Sequence, residues 1–299
     1  MSTTTTQLRE AAIAAPVPPA ARRPRRRDPG SAGWVAYLLL ALTAFVFLVP
    51  FYYMVVAASR PMAEMNVSPP PLLPGGDLWS NIQKAMEQQD LVKAIVNSTI
   101  VSGAVTVSTA LFCTLAGFAF AKLRFSGKNV LFGIAIGTMM IPPTLGVVPL
   151  YKLMSDLELT GRLASVILPF LVSAFGVFFM RQYLVQSLPD ELIEAARIDG
   201  ASSLRTFWSI VLPIARPGMA VLGMLTFMTM WNEFFWPVIA LNSSNPTVQV
   251  ALANLGSGYV PDQSIILAGT LVGTVPVLVV FALLGRQIVN GILAGAVKG

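Results

Sequence analysis

Residues 191–213 read ELIEAARIDGASSLRTFWSIVLP, a charged island between two long apolar segments. Inside it stand Glu194-Ala195-Ala196, then Gly200 four residues after Ala196, then Ile210, Leu212 and Pro213. The island reads as two helices joined by a turn. The first is expected over 188–198, with Pro189 in its first turn and Ser187 as N-cap. Asp190, Glu191 and Glu194 put negative charge in its early turns, where it complements the helix dipole. Ala195 and Ala196 are small enough to let another backbone approach, and Gly200 is free to take a positive φ and end the helix. A second helix follows, capped by Ser202 or Ser203. Its apolar residues are Leu204, Phe207, Trp208 and Val211, and Pro213 and Pro217 lead on into the next apolar segment.

Composition fixes the solvent. The chain is 55% hydrophobic and 11% charged, with a mean hydropathy of +0.70. Soluble domains carry about 25% charged residues, so the bilayer must serve as solvent for this much apolar surface. With no histidine and a single cysteine, Cys113, an intrachain disulfide, a Cys/His metal cluster and His-based catalysis are excluded. No metal site is expected.

The fold class expected is an all-α membrane protein with six transmembrane helices at 34–58, 97–121, 129–151, 163–184, 217–240 and 263–286. Each is close to the ~20 residues needed to cross the hydrocarbon core. Residues 1–32 are rich in Thr, Ala, Pro and Arg and are expected to form a disordered basic tail, leaving 33–299 as the membrane domain. The first apolar run is too long for a signal-peptide core and reads as an uncleaved anchor. If the N-terminus is cytoplasmic, only Arg60, Lys84, Lys93, Lys152 and Arg162 fall outside, so the positive-inside rule puts both termini and the 185–216 loop in the cytoplasm. The net charge of +6 is dispersed along membrane edges and builds no nucleic-acid patch. Of the outer segments, 78–95 is expected to form a short surface helix and 241–262 a loop.

The 191–213 stretch resembles the EAA loop of ABC importer membrane subunits, in its Glu-Ala-Ala, Gly and Ile-x-Leu-Pro spacing. Over roughly 34–299 the chain is similar to the carbohydrate branch of that family, the maltose-type second permease. The pieces that carry this are Asn97-Ser98, Ile141-Pro142-Pro143, EAARIDGAS at 194–202, Trp231-Asn232-Glu233 and the ending GAVKG at 295–299. The resemblance implies a sugar-importing permease working with a second permease subunit, two ATPase subunits and an extracytoplasmic sugar-binding protein. It implies a bacterial or archaeal cytoplasmic membrane. It also implies that Glu194, Ala195, Ala196 and Gly200 dock the ATPase; Arg197 and Asp199 are added as further polar contacts. The permease itself is then no enzyme and holds no cofactor, ATP and Mg being bound by the partner ATPase. The chain has no G-x-x-x-x-G-K-[ST] phosphate loop. By the same resemblance, the GAVKG ending is expected to reach toward the ATPases, and 241–262 to enter the binding protein's sugar site.

Glu233 is the one charged residue well inside an expected span. A charge there costs about 2.5–3.5 kcal/mol on insertion scales, so such residues face a bundle interior or a wet cavity. With Trp231 and Asn232 beside it, and Asn97 opening the second span, it forms a candidate substrate path: aromatic faces and hydrogen-bonding groups suit sugars. The same residues also fit an outer aromatic belt or a helix–helix lock. Two other functions compete: an importer of another solute such as glycerol-phosphate or a polyamine, and an ion-coupled secondary transporter using Glu233. The last leaves the 191–213 loop without a purpose.

Overall fold

A computed structural model describes residues 33–65 and 67–296. The expected disordered tail at 1–32 and the last three residues of the GAVKG ending lie outside the described residues. Every regular element among the described residues is helical. Four helices are long and apolar enough to span a bilayer, and the number rises to six if each of two bent helix pairs is one span.

Helix α1, Trp34–Ala58, matches the first expected span. The described residues up to Pro50, from 33 on, form a unit of their own, and the bundle begins at Phe51. After a short helix α2, Met62–Met65, comes α3, Leu78–Gln88. The surface helix expected over 78–95 ends early: Gln89 is extended, and Asp90 caps the next helix by accepting a hydrogen bond from the Lys93 N–H at 3.0 Å. That helix, α4, runs unbroken from Leu91 to Lys122, six residues longer at its start than expected. Its Gly117 lies against α8 (Ala174–Ser187) so closely that a Cβ would sit 2.8 Å from the Arg181 backbone nitrogen.

The third expected span is not straight. Helix α5, Lys128–Thr138, breaks at Ile141-Pro142-Pro143, and the chain resumes through a 3-10 turn into α6, Val147–Asp156, bent by 91°. Consecutive prolines cannot donate the ladder hydrogen bonds a helix interior needs. The fourth breaks after Phe170, at 171–173. Helix α7, Ala164–Ile167, and a short 3-10 turn precede α8 with a 42° bend.

The loop of the opening sequence carries α9, Asp190–Ile198, and α10, Ser203–Thr206. Pro189, not Ser187, stands at the N-cap position; Ser187 ends α8 and donates its hydroxyl to the Tyr183 carbonyl at 2.7 Å. From α10 the chain passes through a π-helical segment, Phe207–Val211, into α11, Leu212–Trp231. The second loop helix and the membrane span are therefore continuous from Ser203 to Trp231. The fifth expected span then ends early: the chain breaks at Asn232 and resumes as α12, Phe235–Ala240. The outer segment 241–262, expected as a loop, contains a packed helix α13, Val248–Leu255, with Val248 and Ala251 buried. Helix α14, Gln263–Ala296, closes the bundle.

The core runs the length of the bundle. Phe118, Met180, Leu184, Leu188, Ile193 and Phe207 join the 190–203 loop to α4 and α8. At the other end, Leu91, Phe227, Trp231, Val248 and Ile265 join α4, α11, α13 and α14.

Candidate functional site

Two regions are candidate sites: the α9–α10 loop, and a cavity walled by α4 and α11.

The spacing of the loop motif has a physical reason. Gly200 sits at φ +71° and lets the chain reverse. The Gly200 N–H then bonds to the Arg197 carbonyl at 3.0 Å and the Ala201 N–H to the Ala196 carbonyl at 2.9 Å. This paired closure satisfies the last carbonyls of α9 and requires a residue tolerant of positive φ four positions after Ala196. Ser202 then accepts from the Arg205 N–H at 3.3 Å and starts the next helix. Ile193 and Ala196 face inward and are buried. Glu194, Ala195, Arg197, Asp199 and Gly200 are exposed. Ala196 thus packs on the bundle, while the other candidate docking residues present an outer surface.

That surface also holds apolar groups the sequence reading did not select as contacts. Ile198 is 87% exposed, and Leu204 and Trp208 are more than half exposed. The signal for Ile198 was available: it stands immediately before the helix-ending Asp-Gly, on the opposite side from Ile193. One ion pair ties the loop to the bundle. The Lys122 ammonium at the end of α4 lies 2.8 Å from the Asp190 carboxylate at the start of α9, with the Lys122 side chain 7% exposed and that of Asp190 76%. The hydrogen bond and charge of Lys122, with a smaller contribution from Arg124, hold the Asp190 carboxyl below the usual carboxylate range.

The cavity has a volume of about 890 Å³. All three helix breaks open onto it: Pro143 and Thr144 from the first, Phe170 and Ser173 from the second, Glu233 and Phe235 from the third. Unbroken α4 forms one wall through Val105 and Thr109, and α11 another through Thr226 and Thr229. Side chains meet the backbone groups that the breaks release. Thr109 Oγ1 donates to the carbonyls of Phe170 and Leu171 at 3.3 and 3.5 Å, and Trp236 Nε1 to that of Ser165 at 2.9 Å. Glu233 Oε1 accepts from the Trp236 N–H at 3.1 Å and so caps α12. Irregular backbone at membrane depth is tolerated where it is buried or lines a cavity.

Of the four candidate path residues, only Glu233 lines this cavity. Trp231 is buried and stacks on Phe227, ring centroids 5.6 Å apart. Asn232 is exposed; its Nδ2 donates to the Met228 carbonyl at 2.8 Å, and its Oδ1 accepts from Gln249 at 3.4 Å. Asn97 is buried and donates to the Pro246 carbonyl at 2.9 Å, while Ser98 Oγ accepts from the Val248 N–H at 2.8 Å. Asn97 and Ser98 together therefore hold α13 onto α4. The cavity threonines and Phe170 were invisible in the sequence because the breaks that gather them join residues far apart in the chain.

Comparison with known proteins places this architecture. The profile described as "Binding-protein-dependent transport system inner membrane component" matches residues 113–288. The arabinooligosaccharides transport system permease protein AraQ of Halalkalibacterium halodurans is 32% identical over 279 residues, 92% of this chain and 100% of the relative. The lactose transport system permease protein LacG of Rhizobium radiobacter is 32% identical over 275 residues, covering 92% and 98%. The sn-glycerol-3-phosphate transport system permease protein UgpE of Yersinia pestis is 30% identical over 266 residues, covering 86% and 94%. Among solved structures, a chain of a bacterial ABC transporter involved in the import of the acidic polysaccharide alginate superposes with a TM-score of 0.73 at 23% identity, covering 85% of this chain and 95% of that one. With its helical bundle, several apolar spans and profile match over most of its length, the chain belongs to the family of inner membrane components of binding-protein-dependent transport systems.

Proposed function

We propose that this chain is one of two permease subunits of an ATP-driven importer that carries a sugar, most simply an oligosaccharide, across the cytoplasmic membrane of a bacterium or archaeon. The observation that carries the reading is the joining of two features by α4. Its Lys122 end grips α9, and its middle walls a cavity large enough for a sugar chain. Cavities of 300–1,000 Å³ are typical of small-molecule sites. In this reading both termini are cytoplasmic and the exposed face of α9 and α10, with Glu194, Ala195, Arg197, Asp199 and Gly200, docks an ATPase subunit. ATP and Mg stay with a pair of such ATPases, and an extracytoplasmic binding protein delivers the sugar. Rigid-body closure of the ATPases pushes α9, and the bundle follows. The similarity to AraQ and LacG supports a sugar as solute.

The test is uptake of labelled oligosaccharide into proteoliposomes holding this subunit and its co-encoded partners. Uptake that requires both ATP and the binding protein is expected. Uptake driven by a proton gradient without ATP would overturn the reading in favour of ion coupling.

The similarity to UgpE favours a second solute, glycerol-phosphate. Against it stands the cavity wall, whose one charged side chain among the described residues is a carboxylate.

A further inference from the structure

We propose that Glu233 sets the charge class of the solute, so that the cavity passes neutral and cationic oligosaccharides and rejects anionic ones. The inference rests on the importer reading and narrows it to a class of substrate.

Glu233 is the only charged residue among the described residues that line the cavity. The rest of the wall is apolar side chains interrupted by the hydroxyls of Thr109, Thr144, Ser173, Thr226 and Thr229. Phe175 and Phe235 are part of this wall, and each is nearly half exposed. Hydroxyls and ring faces suit a sugar of any charge, because a pyranose offers apolar ring faces and a polar rim. The carboxylate does not. It makes one hydrogen bond among the described residues, to the Trp236 N–H, and has no cationic neighbour within ion-pair distance. Its field in the cavity is therefore uncompensated by the described residues. In a low-dielectric wall a like charge a few ångströms away is repelled strongly, and a neutral solute is indifferent to it. An unpaired carboxylate in a membrane-embedded wall costs stability. The capping bond to Trp236 needs only an acceptor, and a glutamine would supply one. The cap alone therefore gives no reason for the charge. Discrimination against anions does.

The experiment uses the whole transporter in proteoliposomes. Three labelled probes share an opened terminal residue and differ there in charge: arabinotriitol as the neutral probe, its aldonate counterpart as the anion, and its 1-amino-1-deoxy counterpart as the cation. Binding-protein affinity for each probe is measured separately by calorimetry, and uptake is compared at equal binding-protein occupancy. This separates the permease's preference from the binding protein's. For the natural protein, uptake of the neutral probe should exceed that of the anionic one by on the order of tenfold. Glu233→Gln should bring the two rates within about threefold, and Glu233→Lys should invert the order. Thr229→Lys serves as the second variant. It adds a cation one turn earlier on the cavity wall, leaves the Glu233–Trp236 bond in place, and should also relax the discrimination. A merely structural Glu233 would change all three rates together, so an unaltered ratio in these variants overturns the proposal. Absence of ATP-dependent uptake for every probe overturns the importer reading itself, and the filter with it. Equal uptake of neutral and anionic probes by the natural protein overturns the filter alone.

Discussion

Lys122 and Asp190 form a 2.8 Å ion pair between the end of α4 and the first residue of α9. The pair is asymmetric. The lysine is nearly enclosed and the aspartate open to water, so the two halves fail differently when removed. Asp190→Asn strands an ammonium that the fold has largely withdrawn from water, a loss that costs more than breaking a pair exposed on both sides. Lys122→Met removes the buried charge and retains the apolar stem. We expect Asp190→Asn to lower the thermal stability of the solubilised complex more than Lys122→Met does. Both should raise the ATP hydrolysed per sugar imported, since α9 is then less firmly tied to α4. Equal ATP-to-sugar ratios in wild type and both variants would show that the pair has no part in transmission.

The same pair predicts a pH dependence. The Asp190 carboxyl is held below its ordinary value, chiefly by the hydrogen bond and charge of Lys122. A group depressed in the folded state contributes stability that is complete above its ordinary pKa and is lost as pH falls through the depressed value. The thermal stability of the complex should therefore fall in acid, as pH drops below the ordinary aspartate value near 3.9. The Asp190→Asn variant should lack this component of the loss. A natural protein and variant with superimposable acid profiles would remove Asp190 as its source.

Gly200 predicts a purely conformational defect. Apart from its own chain neighbours, no atom of the described residues lies within 4 Å of where its Cβ would be, so space does not forbid a side chain. The φ of +71° does, at about 1–2 kcal/mol for an ordinary L-residue. Gly200→Val should loosen the turn after α9 and lower co-purification of the ATPase, while the protein still inserts. Gly200→Asn, which tolerates that region, should retain most of it. Similar losses for both would shift the cause from backbone to side chain.

Asn97 offers a prediction at the opposite end. Its bond to the Pro246 carbonyl, with that of Ser98 to Val248, pins α13. Asn97→Ala leaves a buried carbonyl unpaired, at about 1–3 kcal/mol. We expect faster proteolysis within 241–262 and weaker productive docking of the binding protein. Unchanged protease sensitivity would mean that other packing holds the segment.

Legibility from sequence followed the range of the interactions involved. The loop was readable because its features are local: Gly200, the Ser202 cap and the early acidic residues act within one or two turns. The inward and outward faces of α9 were not assigned in advance, and Ala196 turned out to be packed while Ile198 was exposed. The first span was readable from its continuous apolar run. The third, fourth and fifth were found as hydrophobic stretches, yet their breaks were missed, since hydropathy averages over a proline pair or an Asn-Glu as readily as over a straight helix. Trp231, Asn232 and Glu233 are adjacent in the chain, but each takes a different direction once α11 ends at Trp231. Adjacency had suggested a cluster, and only Glu233 reached the cavity. Lys122 and Asp190 are far apart in sequence, and no periodicity links them.

The three breaks carry a last consequence. Each interrupts the helical ladder at membrane depth, and the side chains of Thr109, Trp236 and Glu233 answer only part of what is released. Backbone groups that a break frees and no side chain meets are served by water, which the cavity has room to admit. In the importer reading proposed above, the middle of this subunit's path would therefore hold water between solute arrivals. A membrane that must hold its ion gradients cannot be sealed at such a place, so the barrier to leakage then belongs at the path's two mouths, and import is the orderly exchange of one closed mouth for the other.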